Sequence, residues 1–121
     1  MMMGSNLLDF DVYQHEATKT LKNGNSSHLS FGLLAEAGEV ATLFQKFHRG
    51  DPRYVQLDLF GDDFSHEFRN NLYKEMGDVL WYLACLADYF GMPLSSVAQY
   101  NLDKLKKRQA EGKIQGDGDN R

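Results

Sequence analysis

Apolar residues recur at three- and four-residue intervals in four blocks of this chain, the spacing of amphipathic helices. The first block runs from Asp9 to Leu21, with Phe10, Tyr13, Ala17 and Leu21 along one side and NGNSS breaking the pattern at 23–27. The second runs from Leu29 to His48 and meets a stop signal at Arg49-Gly50-Asp51-Pro52. The third spans Ser65 to Phe90 and ends at Gly91-Met92-Pro93; the fourth starts near Ser95, read as its N-cap, and fades at Glu111-Gly112. Between the second and third, residues 51–64 are read as a long loop whose YVQLDLF portion alternates like a strand. An isolated hairpin there would be marginal. The pattern predicts one all-α domain over 1–121, a four-helix bundle, with 1–8 as a leader and 112–121 as a Gly- and Asp-rich tail. The third helix carries more apolar surface than three partners cover, so the bundle is expected to be completed by dimerisation.

Within this pattern one motif occurs twice. LLAEAGEV at 33–40 returns as LYKEMGDV at 72–79, a constant offset of 39 residues. With about 100° per residue and Glu36 at zero, Leu29, Val40 and Phe47 fall within about 40° on one side and Leu43 about 20° away on the other. Glu36 therefore sits inside the apolar stripe and Glu39 borders it. Glu75 has the same setting among Phe68, Val79, Leu86 and Tyr82, with Asp78 in the place of Glu39. Gly38 and Gly77 fall on the far side, where each either permits a close helix crossing or is neutral.

An acidic pair three residues apart is ordinarily solvated surface. Here the ordinary explanation is weakened, because an ionised carboxylate on a core-facing stripe is costly unless it is paired or binds a cation. Four carboxylates aimed into one bundle would repel or take up protons, and a divalent cation removes the conflict. No Glu-x-x-His motif of the di-iron type is present, and His15, His28, His48 and His66 are read as surface or loop residues. An all-oxygen ligand set favours Mg²⁺, or Mn²⁺ in its place, and Mg²⁺ commonly bridges to substrate phosphates.

Composition narrows the field. At 121 residues, 42% apolar and 25% charged, this is an ordinary globular chain with no apolar run of the roughly 20 residues needed to span a bilayer. Cys85 is the single cysteine, which excludes an internal disulfide and fits a reducing, cytoplasmic setting; it is read as a small apolar helix residue. The net charge of −4 is uneven: residues 1–100 carry 7 Lys/Arg against 13 Asp/Glu, and residues 101–121 carry 6 against 4. An acidic body is a poor match for a nucleic-acid backbone, so neither nucleic acid nor membrane is expected as a partner.

The paired motifs in a small helical chain resemble those of the MazG-type nucleoside triphosphate pyrophosphohydrolases. Glu36, Glu39, Glu75 and Asp78 carry the resemblance within LLAEAGEV and KEMGDVLWYLA, and NLDKLKKR and the ending GDGDNR continue it. The resemblance implies hydrolysis of a nucleoside or deoxynucleoside triphosphate between the α and β phosphates, giving monophosphate and pyrophosphate. It implies Mg²⁺ held by the four acidic residues, and a homodimer or a homotetramer built from dimers. Asn101 and Lys104 take the positions of the family's polar and basic residues near the phosphates. Arg108 or Lys107 would assist there, or else form a solvated basic face. Glu36 or Glu39 is the candidate general base, Tyr82 the candidate stacking partner for the base, and Gln14 a candidate hydrogen-bond partner for its edge unless it is an ordinary exposed glutamine. Trp81 is read as packing. The 35 residues between Glu39 and Glu75 exceed the family's usual spacer, and the excess is the segment 51–64. Two other readings stand beside this one: a narrow dUTP- or dCTP-directed house-cleaning enzyme, and a non-catalytic helical protein with a cation-binding acidic stripe.

Overall fold

The computed structural model describes residues 7–58 and 61–112. The expected leader and tail fall, apart from Leu7, Leu8 and Gly112, outside the described residues. Four helices form, α1 (Phe10–Thr18), α2 (Ser26–His48), α3 (His66–Tyr89) and α4 (Leu94–Ala110), with strands β1 (Val55–Asp58) and β2 (Gly61–Phe64) between α2 and α3. The all-α expectation holds.

Side-chain caps set the first three starts. Asp9, Asn25 and Ser65 accept from the backbone N–H of Val12, His28 and Phe68, three residues on. The NGNSS break thus contains the cap of α2, which begins three residues before Leu29. α2 and α3 end on Gly50 (φ 82°) and Gly91 (φ 70°). The next amides reach back, Asp51 N to Lys46 O at 3.1 Å and Met92 N to Ala87 O at 2.9 Å, closing Schellman-type turns that need the left-handed residue.

The start of α4 differs from expectation. Its N-cap is Pro93, which has no side-chain donor or acceptor, and Ser95 lies inside the first turn. The cap comes from α1 instead. Asp11 accepts from Ser95 N at 2.9 Å and Ser95 Oγ at 2.5 Å, and Gln14 Oε1 accepts from Leu94 N at 2.9 Å. These bonds hold the Asp11 carboxyl below the usual carboxylate range.

The segment 51–64 is more ordered than a loop. β1 and β2 pair antiparallel from Val55↔Phe64 to Asp58↔Gly61. The hairpin survives because its base joins a core: Leu43, Tyr54 and Phe68 are buried, with Phe44, Phe47, Phe64 and Leu72 packed on them. Phe47 and Phe64 stack at 4.1 Å, and Phe44 meets Phe68 edge-on at 5.1 Å. A second core of Ala84, Ala87 and Leu94, with Tyr13, Leu80, Leu83 and Val97, joins α1, α3 and α4 at the other end of α3. Phe44 meets Phe68 while Gly32 meets Tyr82, so α2 and α3 run antiparallel. No described helix is long and apolar enough to cross a membrane.

Candidate functional site

Midway between the two cores, α2 and α3 bring Glu36, Glu75 and Asp78 together. Each offers a carboxylate oxygen, and those atoms lie within 4.8 Å of one another. Glu36 and Glu75 are half-buried and Asp78 is exposed. The helical repeat explains the meeting: Glu75 and Asp78 are one turn apart on the face of α3 that α2 covers, and Glu36 is on the matching face of α2. Glu39 stands one turn along from Glu36, exposed and outside this group of three.

Burial raises the Glu36 pKa above the ordinary carboxylate value; the negative charges of Asp78, Glu75 and Glu39 add to it, as does a hydrogen bond with Glu75. Without a cation, Glu36 keeps its proton more readily and shares it with Glu75. The ion pairs Lys19–Glu16, Arg53–Asp51 and Arg69–Asp63 involve none of the three clustered carboxylates. Three converging hard oxygens with a carboxyl driven toward protonation are what a small divalent cation would relieve, so the residues fit such an ion.

The cluster has unlike flanks. Toward the end of α2 lie Leu43 and Phe68 in the aromatic core, 6% and 2% exposed. In the other direction Tyr82 lies on α2 at Gly32: a Cβ on Gly32 would stand 2.1 Å from Tyr82 Cε1. Trp81 packs edge-on to Tyr82 at 4.9 Å and donates to Ala17 O of α1 at 3.3 Å and to Thr20 Oγ1, just beyond α1, at 2.8 Å. The close crossing thus occurs at Gly32, whereas a Cβ at Gly38 or Gly77 would meet nothing within 4 Å. Sequence reasoning singles out Gly38 and Gly77 and misses Gly32, whose one signal is its place a turn before Glu36 on the same ridge.

Gln14 corrects an expectation. It is 7% exposed, and its amide nitrogen donates to Ala84 O at 3.1 Å and Met92 O at 3.0 Å while its oxygen caps Leu94. Both donors are committed inside the protein, so Gln14 joins α1, α3 and α4 and has none left for a base edge. On α4, Asn101 is exposed and Lys104 half-buried, and both line a groove of ≈ 540 Å³ with Met92, Ser96, Val97 and Tyr100. Arg108 is buried at 5%, which removes the solvated-face alternative for it, while Lys107 is exposed.

A profile of the MazG nucleotide pyrophosphohydrolase domain matches residues 25–112, which includes all four acidic motif residues. This chain belongs to the MazG nucleotide pyrophosphohydrolase family. It is 41% identical over 95 residues to the Gene 37 protein of Mycobacterium phage L5, covering 78% of this chain and 75% of that protein. It is 34% identical over 76 residues to the uncharacterized protein YvdC of Bacillus subtilis (strain 168), covering 63% and 68% respectively. No solved structure matches at a significant level. The matched span of this MazG domain opens at Asn25, the cap of α2, and leaves α1 outside it. Yet α1 supplies the cap of α4, and α1 with the turn after it accepts the bonds from Trp81.

Proposed function

We propose that the chain is a divalent-cation-dependent nucleoside triphosphate pyrophosphohydrolase that cleaves between the α and β phosphates. The convergence of Glu36, Glu75 and Asp78 carries this reading, together with the family to which the chain belongs. These three, with Glu39 beside them, would hold Mg²⁺ or Mn²⁺. Such an ion, when bound, neutralises phosphate charge and acidifies a water. Glu39, outside the group of three and so less fully engaged by the ion, would accept the attacking water's proton.

On α4, Lys104 and Asn101 steady the departing pyrophosphate. Arg108, one turn further along α4 and buried, supports this basic row rather than reaching substrate. Tyr82, one turn beyond Asp78, borders the nucleoside. A second copy of the chain covers the outer face of α2, where Phe31 and Leu34 are 71% and 73% exposed, and completes a homodimer.

The test is release of pyrophosphate from each common NTP and dNTP, with Mg²⁺ and with chelator. Pyrophosphate and monophosphate in equal amounts, dependent on the cation, support the reading; orthophosphate as product, or no turnover of any nucleotide, refutes it. The spread across the panel separates broad from dUTP- or dCTP-directed activity. Light scattering of the chain and of Leu34→Glu tests the dimer, which that substitution should dissociate.

A further inference from the structure

Along the α2–α3 seam the carboxylate cluster has unlike neighbours in its two directions. Toward Leu43 and Phe68 it meets the aromatic core, with Phe44, Phe47 and Phe64 packed on it. In the opposite direction the next residues are Gly32 and Tyr82, and then His28. His28 is exposed, and its ring sits 6.1 Å from that of Tyr82 at an interplanar angle of 61°. Gly32, Glu36 and His28 share a ridge of four-residue steps, so His28 is about 12 Å of helix rise from Glu36.

Behind His28 the shelf is rigid. Trp81 backs Tyr82 and is itself held by Thr20, and Tyr82 is seated on the bare backbone at Gly32. His28 N is tied to the Asn25 side chain at 2.8 Å, which fixes the first turn from which the imidazole projects. His28 is thus the exposed end of an otherwise braced aromatic row that leads away from the carboxylate cluster, a place for a planar ring.

Resting on the pyrophosphohydrolase reading, we infer that His28 is a specificity-determining residue: with Tyr82 it forms the subsite for the nucleobase of the triphosphate whose phosphates lie at Glu36, Glu75 and Asp78. The imidazole offers a stacking face together with one donor and one acceptor for a base edge. Tyr82, with its ring against Gly32, orients His28 more than it contacts the base.

The experiment compares the wild type with His28→Ala and His28→Gln. Nucleotide turnover with Mg²⁺ is measured, together with Mg²⁺-dependent binding of inorganic tripolyphosphate, which has phosphates and no base. The expected result for His28→Ala is a KM raised roughly tenfold or more for the preferred nucleotide. Its kcat should change much less, and tripolyphosphate should bind as to wild type. His28→Gln, which keeps hydrogen bonding but no aromatic face, should alter the ranking of bases. An unchanged KM across the panel overturns the inference while leaving the enzymatic reading intact, as does an equal loss of tripolyphosphate binding, which would place His28 on the phosphate side. A wild type that turns over no nucleotide fails the enzymatic reading itself. Thermal denaturation of each variant guards against a folding effect, and His28 is exposed, so both should melt with the wild type.

Discussion

Tyr82 rests on the backbone of α2 at Gly32, so closely that a single added methyl would stand 2.1 Å from its ring. This seat brings α2 and α3 together one turn from Glu36 and Asp78, and it sets the register in which their carboxylates converge. Gly32→Ala gains about 1 kcal/mol in helix propensity. Overpacking opposes it by about 1–3 kcal/mol, and at this distance it should win. Urea denaturation should show a net loss of about 1–2 kcal/mol. Gly77→Ala, where the new Cβ meets nothing, should stabilise by about 0.5–1 kcal/mol in the same measurement.

Gln14 gives a prediction of the opposite kind, strong for folding and weak for chemistry. Gln14→Ala strips Leu94 N of its acceptor and two carbonyls of a donor in a buried setting. A cost of about 2 kcal/mol or more is expected. Activity per folded molecule should stay near wild type for every nucleotide. A base-dependent change in KM would show Gln14 meeting the substrate after all.

The carboxylate cluster should separate stability from activity. Asp78→Asn removes a charge that raises the Glu36 pKa. The metal-free variant should therefore melt above metal-free wild type near neutral pH. Turnover should fall roughly a hundredfold or more as cation affinity drops. Calorimetry in chelator and titration with Mn²⁺ check the two halves independently.

Proton linkage gives the cluster a pH signature. The folded-state pKa of Glu36 is raised above its ordinary value of 4.5, so its protonation favours the folded form. That contribution is fully present below 4.5 and is lost as pH rises through the raised value. Metal-free protein should thus lose stability over that window, and Glu36→Gln should flatten the loss. Saturating Mg²⁺ should reverse it at neutral pH. Asp51 has the opposite sign: its bonds from Arg53 lower its pKa from 3.8 to about 2, so its contribution is lost as pH falls between those values.

The sequence alone determined the helices and the acidic faces, because both follow from local repeats. The three-and-four spacing sets which side of α2 and α3 is apolar, and that spacing placed Glu36 and Glu75 on the buried side before any packing was known. The doubled motif made the cluster legible, and the family model's match over 25–112 accords with the likeness read from it. Tertiary contact decided the rest. Ser95 resembles an N-cap by residue type, but α1 reaches α4 first with Asp11 and Gln14, and no local rule contains residues 84 positions away. Gln14 is polar and looks exposed until three helices meet around its amide. The hairpin looked marginal because its stability comes from Phe44, Phe47 and Phe68 on the helices either side. Whether a glycine matters is equally nonlocal: the doubled motif singles out Gly38 and Gly77, but the ring of Tyr82 settles on Gly32. Periodicity fixes which face a residue occupies; what stands opposite that face is fixed only when the chain closes on itself.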